Sequence, residues 1–358
     1  MNFEKFSFNL PTKIVYGQNS LKEIDNYINK RKTLIVTSQG FVQRGLVNEV
    51  ISYSNCIINV ISNVKSHPEF KDIEEIYKLA HQKKFELIVA IGGGSVMDAA
   101  KFISVYDKNH DYKFVESLTK GKIPKKDYKT IPIISVPTTA GTGSEVTPYS
   151  TIWDMKEKKK YSLTLPNLFC EIAIYDPILT LSVPKKITIQ TGLDSLSHAL
   201  ESIWNKNANS ITIIFSIKSA KLIMENLGNL SKDLNNIEYR SNMMKASMYA
   251  GFAISNTQTA IAHGMSYYVT THKGVDHGIA CSFTLPMLID NVIGKYKFID
   301  NALEKIFGEL SSNKLRALLK ELNVSTEFSS YGINSEEFEK LKDSLKKNPR
   351  AANSLVPI

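Results

Sequence analysis

The chain has 358 residues, of which 43% are hydrophobic and 22% charged, as expected for a globular protein large enough for two domains. Its net charge of +9 comes from lysines spread along the sequence, without a basic stripe interleaved with aromatic residues, so we expect no nucleic-acid partner. Three widely separated cysteines, with no signal-like segment and no apolar run of membrane-spanning length, predict a cytoplasmic protein without disulfides or membrane association.

The first half of the sequence alternates short β-type runs with helical stretches. A strand at residues 13–16 precedes a helix from about Ser20, and further helices are expected after Gly40 and from near Lys71. This alternation is typical of βαβ units around a parallel sheet. The other predicted strands are 33–37, 56–64, 86–91, 131–136 and 173–175.

The pattern changes beyond Asp176-Pro177, where β-type runs give way to long stretches with helical periodicity. We therefore predict an α/β domain over residues 1–180 with a Rossmann-like parallel sheet, followed by an all-helical domain over residues 181–358. The main predicted helices are 184–204, 209–226, 237–255 and 258–270.

A glycine turn follows the strand ELIVAI and opens a helix in the segment GGGSVMDAAK. The glycines allow backbone N–H groups to approach a pyrophosphate, and the helix N-terminus adds partial positive charge. We predict that Ser95 caps this helix, and Asp98 lies one turn further on. The alternative is an ordinary tight connection between a strand and a helix.

A second small-residue segment, VPTTAGTGSE, follows the strand at 131–136. Its hydroxyls and free N–H groups are suited to a nucleotide groove at the carboxyl edge of a parallel sheet. A surface loop rich in threonine and glycine is the alternative interpretation.

Four of the seven histidines fall between residues 193 and 277. Asp194 and His198 are four residues apart in a predicted helix, so both side chains lie on one face. With His263 and His277 they form a one-carboxylate, three-imidazole set suited to a divalent transition metal. The alternative is a set of unrelated polar residues.

The motifs GGGSVMDAAK, VPTTAGTGSEVT, YDPILTLSVP, TGLDSLSHALES, AHGM and DHG occur in this order, and together they resemble the iron-containing (group III) alcohol dehydrogenase family. The resemblance implies an N-terminal dinucleotide-binding domain, a helical metal-binding domain and a homodimer. It implies that the metal, Fe(II) or in some members zinc, polarises a substrate carbonyl while a nicotinamide supplies hydride.

Matched motif by motif, the resemblance also implies roles for particular residues. Asp194, His198, His263 and His277 correspond to the metal ligands. The positions that correspond to cofactor contacts are Gly93, Gly94, Ser95, Asp98, Thr138, Thr139, Thr142, Lys160 and Leu179.

Two positions depart from the family pattern. Many members carry Asp in the turn after the second strand, where this chain has Ser38; without that carboxylate, a 2′-phosphate is not repelled, and NADP is as well suited as NAD. Many members also carry a histidine where this chain has Tyr267. We expect Tyr267, His272 or solvent to supply the proton instead.

The sequences HGMSYY, HGIACSFTLP and WD…KKYSL resemble the subgroup that reduces phosphonoacetaldehyde to 2-hydroxyethylphosphonate. A phosphonate needs basic groups nearby, and the candidates are Lys159, Lys160, His272 and Lys273. The alternatives are a broader alcohol or diol dehydrogenase acting on butanol, lactaldehyde or propanediol, a dehydroquinate-synthase-like lyase, and a catalytically inactive metal- or nucleotide-binding protein.

Overall fold

The computed structural model describes residues 5–346 and 348–356, and the chain divides into two compact units. The sheet unit consists of residues 11–139 and 144–180. The helical unit consists of the described parts of residues 1–10, 140–143 and 181–358. Residues 1–4, which belong to the stretch where we predicted no signal segment, lie outside the described residues.

The sheet unit contains ten strands. They are β1 (Lys13–Tyr16), β2 (Thr33–Thr37), β3 (Ile57–Ile61), β4 (Leu87–Gly92), β5 (Val105–Tyr106), β6 (Lys129–Thr130), β7 (Ile133–Pro137), β8 (Tyr149–Asp154), β9 (Lys159–Thr164) and β10 (Ile172–Tyr175). Six of them form a sheet in the order β1-β10-β7-β4-β2-β3, and every neighbouring pair is parallel.

The helices of the sheet unit connect these strands. They are α1 (Ile24–Ile28), α2 (Gln39–Gln43), α3 (Leu46–Tyr53), α4 (Phe70–Ala80), α5 (Gly94–Ser104) and α6 (Tyr112–Thr119), with short 3-10 helices at Ser20–Glu23, Ser144–Val146 and Pro177–Thr180. Both faces of the sheet are covered, because alternate residues of β4 belong to different apolar clusters: Leu87 and Val89 to one, Ile88 and Ala90 to the other.

The helical unit contains nine α-helices within the described residues. They are α7 (Lys185–Ile203), α8 (Ser210–Lys232), α9 (Ile237–Thr257), α10 (Ile261–Lys273), α11 (His277–Ser282), α12 (Leu285–Val292), α13 (Lys297–Phe307), α14 (Asn313–Glu321) and α15 (Ser335–Lys346), with 3-10 helices at Phe328–Tyr331 and Ala351–Asn353. One apolar cluster runs through this unit, centred on residues such as Trp204 and Phe283. The predicted fold class, a parallel α/β domain followed by a helical one, is confirmed.

An antiparallel hairpin of β8 and β9 is the main element that the sequence pattern did not indicate. Its turn contains Lys158 at φ 50°, and four lysines over residues 156–160 make the stretch look like a charged loop. No helix among the described residues is both long and apolar enough to cross a membrane.

Candidate metal centre and cofactor loop

Helix α7 supplies two of the predicted metal ligands. Asp194 and His198 are one turn apart, both only 5% exposed, and Asp194 Oδ1 lies 3.7 Å from His198 Nε2. A carboxylate and an imidazole this deeply buried need polar partners, because burying an unpaired ionised group is costly.

Two further imidazoles, from α10 and from the first residue of α11, approach the same carboxylate oxygen. His263 Nε2 lies 3.4 Å and His277 Nε2 3.8 Å from Asp194 Oδ1. The His198 and His263 rings are stacked with centroids 4.6 Å apart, and the His277 ring is 5.4 Å from that of His263. Three Nε2 atoms therefore surround one carboxylate oxygen, and the structure brings all four predicted ligands together.

Two nitrogens in this group lack the hydrogen bonds that buried polar atoms normally make. Within the described part of the chain, neither His263 Nε2 nor His198 Nδ1 has a hydrogen-bond partner. For His263, the orphaned Nε2 is also the atom turned towards Asp194. An oxygen donor and several imidazole nitrogens, one of them orphaned, fit a divalent transition metal such as Fe(II) or Zn(II).

Two glycines allow close backbone contacts in the helical unit, one with α7 and one with α9. A Cβ on Gly278 would lie 2.0 Å from the backbone oxygen of Gln190, so only glycine lets the start of α11 contact α7. Gly143, at φ 63°, similarly lies against Gly251 of α9, where an added Cβ would meet the Gly251 Cα at 2.8 Å.

Glu201 is a site residue that the sequence analysis missed. It is fully buried on α7, and its Oε2 pairs with His263 Nδ1 at 2.5 Å. Its Oε1 accepts hydrogen bonds from the backbone N–H groups of Ala262, at 2.5 Å, and His263, at 3.2 Å. The signal was present in the sequence, because Asp194, His198 and Glu201 are spaced i, i+4 and i+7 on one helix face.

The pKa values of the group reflect burial and close charges. Burial would raise the pKa of Asp194, but the neighbouring imidazoles hold it well below its usual range. Burial lowers the pKa of His198 to about 4, although Asp194 opposes this shift. For His263, burial favours the neutral form, yet the Glu201 and Asp194 carboxylates outweigh it and raise the pKa to about 9. A metal that binds His263 therefore displaces a proton.

Cys281 of α11 is a further neighbour that was not predicted. Its Sγ lies 3.4 Å from Asp194 Oδ1, and the donor atoms of Asp194, His263, His277 and Cys281 lie within 4.8 Å of one another. Burial raises the pKa of the Cys281 thiol well above its usual value. The protonated thiol therefore donates to the Asp194 carboxylate.

The two proton-donor candidates lie in different surroundings on α10. Tyr267 is half-buried and one helical turn from His263, so both side chains share a face. His272 is exposed, its ring stacks on Tyr268 with centroids 4.3 Å apart, and its Nδ1 lies 3.0 Å from Thr271 Oγ1. The structure does not bring His272 to the imidazole group, because it lies half a turn around the helix from His263.

The predicted cofactor loop lies at the carboxyl ends of β4 and β7. Gly92 is paired with Pro137, and the Thr138 N–H donates to the Gly92 carbonyl at 3.0 Å. A Cβ on Gly93 would lie 3.1 Å from Thr139 Oγ1. Thr138 Oγ1 is buried and has no hydrogen-bond partner among the described residues. A glycine cradle beside an orphaned hydroxyl fits a bound nucleotide, at the sheet edge where ligands of open α/β folds bind.

The prediction that Ser95 caps α5 is wrong. Gly93 is the N-cap, because its carbonyl accepts from the N–H groups of Val96 and Met97 at 3.0 and 3.2 Å. The helix therefore begins at Gly94, inside the glycine-rich turn, and not after Ser95. Ser95 lies inside the first turn, where its Oγ accepts from the His67 N–H at 3.3 Å.

Asp98 and the buried Lys101 hold the segment that follows the threonine loop. Asp98 Oδ1 accepts from Ser144 Oγ at 2.8 Å. The Lys101 ammonium donates to the carbonyls of Ser144, Thr147 and Tyr149 at 2.5, 2.7 and 2.8 Å. In this structure Asp98 therefore contacts the 3-10 helix Ser144–Val146, directly after that loop.

The remaining predicted cofactor residues are distributed around the chain. Ser38 begins α2 directly after β2 and is bridged to Asn63 beyond β3. Lys160 is paired with Trp153 in the hairpin, with its Nζ 5.1 Å from that ring centroid. Leu179 lies in the 3-10 helix Pro177–Thr180, and Thr142 belongs to segment 140–143 of the helical unit.

Two family models match the sequence, and together they cover most of it. The model "Iron-containing alcohol dehydrogenase" matches residues 11–177, and "Fe-containing alcohol dehydrogenase family, C-terminal" matches residues 188–354. The chain belongs to the iron-containing alcohol dehydrogenase family. It is therefore an oxidoreductase that acts on alcohols or aldehydes with a nicotinamide dinucleotide.

Similar proteins within this family act on different substrates. The chain is 27% identical to the NADPH-dependent butanol dehydrogenase of Clostridium saccharobutylicum over 94% of this chain and 89% of that one. It is 29% identical to the sulfoacetaldehyde reductase of Bilophila wadsworthia, over 95% and 94%. The structure of sulfoacetaldehyde reductase from Bifidobacterium kashiwanohense in complex with NAD+ matches with TM-score 0.89 and 29% identity, over 99% and 95%.

Proposed function

We propose that this chain uses a divalent metal and NADPH or NADH to reduce a small aldehyde, phosphonoacetaldehyde, to the primary alcohol 2-hydroxyethylphosphonate. The observation that carries the metal dependence is the convergence of three imidazole Nε2 atoms within 3.8 Å of Asp194 Oδ1. We assign Asp194, His198, His263 and His277 as ligands, with Fe(II) as the metal and Zn(II) as the alternative.

When bound, the metal supplies Lewis acidity at the substrate carbonyl and the reduced nicotinamide supplies hydride. The protein's part is to fix the ligands and to deliver the final proton. The Asp194 carboxylate and the neutral His198 imidazole present lone pairs at neutral pH. We assign the proton to the phenol oxygen of Tyr267, because this side chain shares a helix face with His263 and is half-buried.

The cofactor groups proposed for the sheet unit are the Gly93 turn and the Thr138 hydroxyl. Two groups beside Ser38 are uncharged: Gln39 Oε1 accepts from Ser62 Oγ at 3.2 Å, and Asn63 is bridged to Ser38. Hydroxyl and amide groups accept either a ribose hydroxyl or a 2′-phosphate. We therefore propose that the enzyme uses both NADPH and NADH.

The proposed substrate is a two-carbon aldehyde with a tetrahedral anionic group. Two similar proteins are sulfoacetaldehyde reductases, whose substrate has the same skeleton with a sulfonate in place of the phosphonate. Of the basic candidates, Lys273 is paired with Glu337 at 3.3 Å, and the His272 ring is stacked on Tyr268. We assign the anion contact to Lys160, since its side chain is half-buried while that of Lys159 is exposed.

The substrate test compares kcat/KM for phosphonoacetaldehyde, sulfoacetaldehyde, butanal and lactaldehyde on the Fe(II)-loaded protein. Phosphonoacetaldehyde is expected to be preferred over butanal by at least tenfold, because hydrogen bonds to a charged group are worth about 1.5–3 kcal/mol. A preference for butanal or lactaldehyde would contradict the anionic substrate and support a broader alcohol dehydrogenase. Product formation without net oxidation of the cofactor would support the lyase.

Two variants of β9 refine this test at saturating cofactor. Lys160→Ala is expected to raise KM for phosphonoacetaldehyde about tenfold and to leave KM for butanal unchanged. Lys159→Ala is the matched control, because adjacent residues of a strand point to opposite faces. Equal effects of the two variants would remove Lys160 from the substrate site.

We also propose that residues 1–180 form the dinucleotide-binding domain and residues 181–358 the metal-binding domain of a cytoplasmic homodimer. The family models divide the chain in the same region, ending at residue 177 and resuming at residue 188. Light scattering in solution tests the dimer, for which a monomeric mass is the contrary result.

A further inference from the structure

Glu201 has a hydrogen-bonding arrangement that the proposed mechanism does not use. It is 0% exposed on α7, three residues beyond His198, and it contacts α10 through both carboxylate oxygens. Most buried carboxylates are paired with a cation or a metal. The partners of Glu201 are two backbone N–H groups and the ring of one candidate metal ligand, His263.

One oxygen of Glu201 replaces the missing cap of α10. This helix begins after Ala260, whose side chain offers no hydrogen bond to the free N–H groups of the first turn. Glu201 Oε1 accepts from two of them, those of Ala262 and His263. The carboxylate is also suited electrostatically to the positive end of the helix dipole.

The other oxygen determines which nitrogen of His263 carries the proton. Glu201 Oε2 lies 2.5 Å from Nδ1, and an ionised carboxylate accepts but does not donate, so Nδ1 carries hydrogen. In the neutral ring Nε2 then keeps its lone pair, and this is the atom 3.4 Å from Asp194 Oδ1. Glu201 thus fixes both the tautomer and the orientation of His263.

We propose that Glu201 is a positioning residue whose carboxylate holds His263 in the metal-binding tautomer while capping the helix that carries it. A carboxylate behind a ligating histidine raises metal affinity, and its loss typically lowers affinity about 10-fold to 100-fold. This inference rests on the proposed metal-dependent function. It adds that α7 supplies two ligands and also the group that orients a third.

The substitution Glu201→Gln isolates this role because it is nearly isosteric. The glutamine oxygen can still cap the N–H groups of Ala262 and His263, but the amide NH2 then faces His263 Nδ1. That nitrogen must become the acceptor, which moves the ring proton to Nε2 and blocks metal binding there. Glu145→Gln is the matched control, since Glu145 is also buried but bonds the Tyr175 hydroxyl at 3.0 Å.

The test is a Co(II) titration of the metal-free full chain, followed by visible absorption, with thermal unfolding to verify the fold. Glu201→Gln is expected to bind Co(II) about 10-fold to 100-fold more weakly than the wild type with an altered spectrum, and Glu145→Gln to bind within twofold. Glu201→Asp, which keeps the carboxylate, is expected to bind more tightly than Glu201→Gln. Wild-type affinity and spectrum in Glu201→Gln, or equal affinities of the two Glu201 variants, overturn the inference. A wild-type chain that binds no Co(II) overturns the proposed function itself.

Discussion

Replacing Gly278 with alanine tests how the candidate metal centre is assembled. A Cβ at this position would lie 2.0 Å from the Gln190 oxygen and 2.7 Å from its carbonyl carbon, and both are backbone atoms that no rotamer change can move. The start of α11 must therefore shift by at least 1.0 Å to reach a separation of 3.0 Å. Metal–ligand distances tolerate only about 0.2 Å, so His277, the preceding residue, leaves the group.

The expected result for Gly278→Ala is a Co(II) affinity at least about tenfold below that of the wild type, with a parallel loss of aldehyde reduction. The assay is a Co(II) titration with visible absorption. The matched control is Gly264→Ala, at the residue that follows His263. Its Cβ would lie 3.0 Å from the end of the Leu345 side chain and at ordinary contact distances of 3.4 and 3.5 Å from Ala351 Cβ and N. Wild-type Co(II) affinity in Gly278→Ala would refute the account of the α7–α11 contact, and equal losses in both variants would make the effect non-specific.

Three further predictions concern the cofactor, stability and pH. Ser38→Asp should lower kcat/KM with NADPH at least tenfold and leave kcat/KM with NADH unchanged, because a carboxylate repels the 2′-phosphate. Steady-state kinetics measure both values, and an unchanged ratio of the two would place the adenosine ribose away from Ser38. Arg240→Met should lower the free energy of unfolding, measured in urea, by about 3 kcal/mol. The reason is that the buried guanidinium donates to Thr188 Oγ1 at 2.8 Å and to the Val183 carbonyl at 2.9 Å. A change below about 0.5 kcal/mol would contradict this role. Burial, together with the charge of nearby His110, lowers the pKa of His81 below 6.5 and outweighs the opposing effect of its hydrogen bond to the Ile103 carbonyl. Below about pH 6.5 the unfolded chain therefore binds more protons at His81 than the folded chain does, so the free energy of unfolding falls as the pH drops. His81→Gln should therefore show a smaller fall in Tm between pH 7.5 and 5.5, and an unchanged fall would exclude His81 as a source.

The elements that the sequence predicted most closely are two fully buried strands of the parallel sheet. The strand at Thr33–Thr37 has the predicted bounds, and β4 differs from its predicted range by one residue at each end. Both are continuous β-type runs buried on two faces. The hairpin of β8 and β9 escaped prediction because its lysines resemble a solvated loop. The helix expected after Gly40 is present as α2, which begins at Gln39.

The candidate site was predictable where it depends on local spacing. The shared face of Asp194 and His198 follows from helix geometry alone. The approach of His277 to Asp194 depends on contact between α7 and α11, which no local pattern encodes. The pairing of Glu201 with His263 is a tertiary hydrogen bond of the same kind.

The wrong prediction at Ser95 has a similar cause. A serine after glycines has the propensity of an N-cap, but the Gly93 carbonyl already accepts the first helical hydrogen bonds. His272 lies near the ligand motifs in sequence, yet its position on α10 turns it towards Tyr268. At both positions the course of the backbone, rather than the residue type, determines which group caps the helix or reaches the candidate metal centre.

Metal reconstitution of aldehyde reduction tests the central claim most directly. The chain is stripped with a chelator and assayed anaerobically with phosphonoacetaldehyde and NADPH while Fe(II) is added stepwise, with His277→Ala in parallel. Activity should be absent from the stripped protein, rise linearly and saturate at about one Fe(II) per chain, and fail to return in His277→Ala. Full activity in the stripped protein, or full restoration in His277→Ala, would contradict the assignment of the metal centre.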